Sequence, residues 1–283
     1  MVKDISIIGG DLRIVKLVNM LKDNYNVRTY ALEESTEIEN INNSVEECIE
    51  NTDVIISAIP FSKDGIKINT PYSKKQIQIE ELFSQANGKT IIAGNLTNQI
   101  KELAINKNVQ IIDILEQEEL AILNAISTAE GAIQIAISNI PKNLCGSNVL
   151  IMGFGRIGKI LAKMLDGIGA NVSCEARKKS DLAWIKSYGY EPIDINNLKN
   201  NLARFDIIFN TIPSIILDKE KLEQIKEETL IIDLASAPGG VDKNQVEILN
   251  KKYILALALP GKISPKSSAE YIKQTLENMF ISM

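Results

Sequence analysis

Residues 148–180 read NVLIMGFGRIGKILAKMLDGIGANVSCEARKKS, and this stretch decides the fold. An apolar run, Val149 to Met152, meets Gly153, Gly155 and Gly158 in the spacing G-x-G-x-x-G. Ile157, Ile160, Leu161, Met164, Leu165 and Ile168 then fall on one helical face, and Asn171–Ala176 alternates as the next strand. The pattern is a parallel strand, a tight turn and an amphipathic helix. The glycines differ in what they permit. Gly153 allows the turn, Gly155 lets backbone approach a pyrophosphate, and Gly158 lets helix and strand pack closely. The helix start at Arg156 and Ile157 adds N–H groups and a positive dipole end for phosphates.

The second strand empties into cations. Nicotinamide sites that prefer NAD place a carboxylate about 20 residues past the glycines, where it accepts hydrogen bonds from the ribose 2′-hydroxyl. Here that place holds Ala176, followed by Arg177 and Lys178. Alanine leaves room for a 2′-phosphate, and the two cations supply a fork and a point charge to hold it, so the pattern points to NADP. Two competing readings stand: Glu175 serves as the ribose acid if the register slips by one, giving NAD, or the cations form a solvated turn.

Outward from this unit, short apolar runs alternate with helical patterns, the signature of an α/β chain with parallel sheets. Candidate strands are 5–9, 27–31, 53–59, 90–94 and 109–114, then 148–153, 171–176, 206–212, 229–235 and 253–258. The two sets resemble each other. IIGGD (7–11) aligns on IMGFG (151–155), and DVIISAIPF (53–61) on DIIFNTIPS (206–214). We therefore expect two tandem Rossmann-like domains: residues 1–115 as a substrate domain and 141–262 as the NADP-binding domain. A long helical pattern at 116–140 should connect them across a cleft, and a terminal helix at 263–283 should pack back towards the first domain. The acidic stretch 33–44 reads as a solvated loop.

Composition narrows the function. The chain has 283 residues and a net charge of -5, which offers no general grip on nucleic acid or anionic lipid. No uncharged apolar run reaches the roughly 18 residues of a membrane span, so we expect a soluble intracellular protein without a membrane partner. Cys48, Cys145 and Cys174 are scattered, odd in number and without a CxxC pair, indicating buried thiols and neither disulfides nor a metal site. There is no histidine, so proton transfer must use other groups.

The first domain does not repeat the phosphate chemistry. Asp11 and Ile14 occupy its second and third glycine positions, and a carboxylate at a helix N-cap repels phosphate. Arg13 is a candidate clamp for a substrate carboxylate, against the alternative of a solvated arginine.

From CGSNVLIMGFGRIGKILAKMLDGIGANV through FNTIPSIIL, LIIDLASAPGGVD and LALPGKISPKSSAEYI, the chain resembles the A subunits of dipicolinate synthase, and IIGGDLR and TAEGAIQIAI fit the same family. More distantly the plan is similar to alanine and methylenetetrahydrofolate dehydrogenases. The resemblance implies a sporulation enzyme of the mother-cell cytoplasm that oxidises dihydrodipicolinate, derived from hydroxytetrahydrodipicolinate, to dipicolinate with a nicotinamide cofactor. It also implies a partner, the flavoprotein-like B subunit of dipicolinate synthase. A homo-oligomer is compatible with the sequence.

That chemistry removes a hydride and a proton from a small dicarboxylate. Thr211, Ile212 and Pro213, with Ala235 and Ser236, end strands where ligands lie in such folds, and a turn at Pro260 and Gly261 would bring backbone close to the nicotinamide. Lys262 is the first candidate for contact with a substrate carboxylate or for the base, and Glu130 the second; a surface lysine and a packing glutamate are the plain alternatives. The loop 61–75, with Ser62 and Lys63, either grips the second carboxylate or forms a lid. Trp184 reads as packing. Rival functions are another NADP-dependent dehydrogenase of amino-acid or folate type, and a non-catalytic nucleotide-binding subunit of a larger complex.

Overall fold

In the computed structural model, which describes residues 2–39 and 41–282, the chain builds two separate parallel sheets. The first contains β1 (Asp4–Ile8), β2 (Asn26–Tyr30), β3 (Val54–Ser57), β4 (Thr90–Ala93) and β5 (Gln110–Asp113), in the order β2-β1-β3-β4-β5. Between them run α1 (Leu12–Leu21), α2 (Val45–Ile49), α3 (Ile79–Gln85) and α4 (Asn98–Asn106). β1 and β3 are buried along nearly their whole length, as strands covered by helices on both faces must be.

The second sheet contains β6 (Asn148–Met152), β7 (Asn171–Ala176), β8 (Glu191–Asp194), β9 (Ile207–Asn210), β10 (Leu230–Asp233) and β11 (Lys252–Leu255). Its order, β11-β10-β9-β6-β7-β8, is the Rossmann order, whereas the first sheet has the flavodoxin-like one. Its helices are α6 (Arg156–Ile168), α7 (Lys179–Ser187), α8 (Leu198–Asn201), α9 (Lys219–Leu222), α10 (Lys243–Ile248) and α11 (Leu259–Ile263). β8 has no counterpart among the candidate strands. Its sequence, EPID, carries Pro192, which is tolerated because β8 is an edge strand paired only with β7.

α5 (Glu118–Asn139) and α12 (Pro265–Ser282) complete the chain. One compact unit holds the chain through Leu123 and again from Ser264 onward; the other is Asn124–Ile263. α12 packs on α1, where Ala269, Ile272, Leu276 and Phe280 join Ile14, Leu17, Val18 and Leu21 in one core cluster. Truncating a buried leucine such as Leu276 to alanine costs about 2–5 kcal/mol.

α5 is more than a connector. Ala129, Ala132 and Ala136 are buried in the core of the Asn124–Ile263 unit against β6 and α6 residues. Its length and hydropathy would also suit a membrane span, but Glu130 stands exposed at its middle and its small residues are packed in protein, as in a core helix.

The stretch 33–44 is irregular where described, yet not wholly solvated: Ile38 is buried in the core and Lys16 reaches Glu37 at 2.8 Å. The cysteines also divide. Cys48 and Cys174 are buried, with thiols pushed up to about 12 by burial, whereas Cys145 is exposed, against the expectation of three buried thiols.

Candidate functional site

The glycine turn between β6 and α6 shows which glycines the protein itself requires. Gly153 has φ +90°, and a Cβ there would lie 2.6 Å from Thr211 Oγ1. On Gly158 a Cβ would lie 2.1 Å from the Gly153 carbonyl oxygen. At Gly155 nothing among the described residues beyond its chain neighbours lies within 4 Å of the Cβ position. Internal packing therefore accounts for the first and third glycines, and the second leaves open space for backbone to be approached from outside. Gly155 is also the N-cap of α6 and offers no side-chain cap, so the first-turn N–H groups near Arg156 and Ile157 keep the geometry that a pyrophosphate uses.

Beside the turn is a cavity of about 360 Å³ lined by Gly153, Phe154, Glu175, Ala176, Arg177, Lys178 and Asp181 together with Ile195, Ile212, Ser214 and Ile216. Ala176 is the last residue of β7 and is buried; Arg177 and Lys178 follow it on the surface. Lys179 is the cation spent elsewhere, paired with Asp194. The triplet thus divides: two cations line the cavity and the third neutralises the acid at the end of β8.

Glu175 touches the same cavity but its carboxyl is engaged at the turn. It is 1% exposed, and its Oε2 accepts the Gly153 N–H at 3.2 Å. Burial holds its carboxyl above the ordinary range, with the Gly153 N–H and nearby Arg177 opposing and Asp194 adding to the rise. A carboxylate committed beneath the turn is poorly placed to serve a ribose.

On the opposite side of β6 the loops after β9 and β10 bring together several predicted residues. Thr211 Oγ1 donates to the Met152 carbonyl at 2.9 Å, strapping the end of β9 to the glycine turn. Ile212 is half-buried on the cavity wall, Pro213 and Ser236 are exposed, and Ala235 is buried. Sequence reasoning missed the groups that hold these loops, Asn210 and Asp233. Their only signal is a polar residue closing each apolar strand.

Pro260 and Gly261 do not form a turn. They lie inside α11, where proline is tolerated because first-turn N–H groups have no helical partner. α11 packs on α5 at Gly131, whose Cβ position lies 3.0 Å from Ile263 and 3.2 Å from Leu259. Glu130 and Lys262, each the neighbour of a residue in that contact, are both exposed.

In the first unit, Asp11 caps α1 by accepting the Arg13 N–H at 3.0 Å. Arg13 itself is buried: Nε and Nη2 bond to Asp11, and Nη2 also reaches the Ile59 carbonyl. Through Nε and Nη2 the guanidinium braces the β1 turn against β3. The Ser62 hydroxyl is engaged within its own loop, donating to the Lys67 carbonyl at 2.6 Å and accepting the Gly65 N–H at 2.9 Å. Lys63 lines a separate cavity of about 490 Å³ with Lys67, Lys74 and Lys75. The segment beyond it covers the Gly9-Gly10 turn: Gly10 N–H bonds to the Asn69 carbonyl at 3.0 Å, and a Cβ on Gly9 would meet Thr70 at 2.8 Å. The chain's own loop fills the place where the second unit keeps open space.

Residues 4–115 match the family described as the N-terminal domain of the dipicolinate synthase A subunit, and residues 128–260 match the D-isomer specific 2-hydroxyacid dehydrogenase, NAD binding domain. The dipicolinate synthase A subunit of Bacillus subtilis (strain 168) is 31% identical over 281 residues, 97% of this chain and 95% of that protein. The crystal structure of the Bacillus subtilis A subunit superposes with TM-score 0.92 at 27% identity, covering 100% of this chain and 97% of that one. That of the A subunit from Bacillus halodurans superposes with TM-score 0.91 at 29% identity, covering 98% and 97%.

Proposed function

The chain belongs to the family of dipicolinate synthase A subunits, and from that premise we propose that it oxidises dihydrodipicolinate to dipicolinate with NADP. It is an oxidoreductase with a nicotinamide-binding domain. The observation that carries the proposal is a full-length family match joined to a glycine turn that opens onto Ala176 and Arg177.

A bound nicotinamide would supply the acceptor for the hydride that leaves the ring. The chain supplies the rest. N–H groups at the start of α6 hold the pyrophosphate, and Gly155 leaves room for it. Arg177 and Lys178 would hold the 2′-phosphate in the space that Ala176 leaves, with the Glu175 carboxyl engaged at Gly153. The loops at Thr211–Pro213 and Ala235–Ser236 orient the nicotinamide half. Lys262 Nζ contacts a substrate carboxylate or takes the proton, with Glu130 as the second candidate; both are exposed and carried on neighbouring helices. Lys63 remains a candidate ligand for a substrate carboxylate.

In this reading the protein works in the cytoplasm of a sporulating cell beside a second, flavoprotein-like subunit. Substrate profiling tests it. Freshly generated hydroxytetrahydrodipicolinate plus NADP should give the ultraviolet spectrum of dipicolinate faster than the enzyme-free control, and amino-acid or folate substrates should give no turnover. Turnover of those substrates without an aromatic product would replace this reaction with another dehydrogenation.

A further inference from the structure

Asn210 and Asp233 close the adjacent strands β9 and β10 at paired register positions, and both are fully buried. Asn210 Nδ2 donates to Asp233 Oδ1 at 2.7 Å and to the Ile212 carbonyl at 3.0 Å, while its Oδ1 accepts the Ile212 N–H at 3.2 Å. Asp233 accepts three further bonds: from Ala235 N–H at 3.1 Å, from Gly240 N–H at 3.1 Å and from the Tyr253 hydroxyl at 3.3 Å. An acceptor-only carboxylate among four donors is well matched, and burying one elsewhere would be costly.

The chain has shaped itself to this pair. A Cβ on Gly240 would lie 2.1 Å from Asn210 Nδ2, and one on Gly239, at φ +87°, would lie 2.9 Å from Asp233 Oδ2. Gly239-Gly240 therefore wraps directly onto the carboxamide and carboxylate. The result ties two backbone segments together: the one after β9, through Ile212, and the one after β10, through Ala235 and Gly240.

Sheet order says which end of a dinucleotide these segments meet. The glycine turn after β6 marks the pyrophosphate, and the cavity beside Arg177 places the adenosine end over β7. The other half must then extend the opposite way, over β9 and β10. We infer that the Asn210–Asp233 pair is a positioning device for the nicotinamide half of the cofactor. It acts through the backbone of Ala235 and Gly240, presenting a preformed surface instead of a loop that must be ordered on binding. This rests on the second unit binding a nicotinamide dinucleotide; it does not depend on NADP over NAD or on the ring that is oxidised.

The test separates the two halves of the cofactor. In the full-length protein, Asn210→Ala and Tyr253→Phe are compared with wild type by calorimetry against whole dinucleotides (NAD and NADP) and adenosine-side probes (ADP and 2′,5′-ADP), with near-ultraviolet circular dichroism reporting the fold. Asn210→Ala should weaken the better dinucleotide about tenfold and Tyr253→Phe about threefold, while the probes stay within about twofold. Should Asn210→Ala fail to fold, Tyr253→Phe decides by the same split. Parallel losses for dinucleotide and probe, or no loss of dinucleotide affinity in a folded variant, overturn the positioning role. Wild-type protein that binds the probes but neither dinucleotide overturns the cofactor reading and this role with it.

Discussion

A Cβ on Gly158 would lie 2.1 Å from the carbonyl oxygen of Gly153, whereas one on Gly155 would have nothing among the described residues beyond its chain neighbours within 4 Å. The contrast yields a paired prediction. Gly158→Ala should destabilise the fold by about 1–3 kcal/mol, since helix α6 must move off the turn. Gly155→Ala should melt like wild type and bind dinucleotide at least about tenfold more weakly. Thermal melts and calorimetry on both variants check it; equal stability losses would mean that Gly155 is structural after all.

Arg177→Ala should cost NADP about 1.5–3 kcal/mol, roughly ten- to a hundredfold in affinity, and spare NAD. Titration of both cofactors against both proteins measures this. Equal losses would remove Arg177 from the 2′-phosphate. The complementary change, Ala176→Asp, should turn the preference towards NAD by restoring an acceptor for the ribose hydroxyl.

Much of this turn was legible in the sequence because three glycines at fixed spacing, between an apolar run and a helical pattern, mark a strand, a tight turn and a helix. The strands were legible too, as apolar runs. β8 was not: EPID is short and polar and holds Pro192, and only its place at the edge of the sheet makes it a strand. Side-chain roles were harder still. Arg13 and Ser62 have the chemistry of substrate ligands, but their bonds to residues distant or local in sequence, Ile59 and Lys67, show only in the structure. Asn210 and Asp233 show the reverse: inconspicuous in sequence, they become prominent only when strand register sets them side by side.

Glu175 carries a pH signature. Burial raises its folded-state pKa above the ordinary value of 4.5, so folding favours its protonated form. The stability it contributes is complete below that ordinary value and is lost as pH rises through the raised one. Glu175→Gln keeps an oxygen for the Gly153 N–H and has no charge to bury, so it should be more stable than wild type at pH 8, with the difference shrinking towards pH 4. Melting curves across that range check it; a variant less stable at pH 8 would mean that the ionised carboxylate is needed.

Lys262→Ala should lower turnover about tenfold or more while leaving dinucleotide affinity within about twofold. Steady-state kinetics together with cofactor titration separate the two effects. Unchanged kinetics would remove Lys262 from the site and leave Glu130 as the candidate to test next.

The central claim is that hydride leaves the dihydropyridine ring in this polypeptide. Its most direct measurement is the stoichiometry of the purified chain acting alone on freshly generated hydroxytetrahydrodipicolinate, with dipicolinate and reduced nicotinamide recorded together. One reduced NADP per dipicolinate, both faster than in the enzyme-free control, is the predicted result. Dipicolinate formed at the control rate, or formed without matching reduced cofactor, would contradict it.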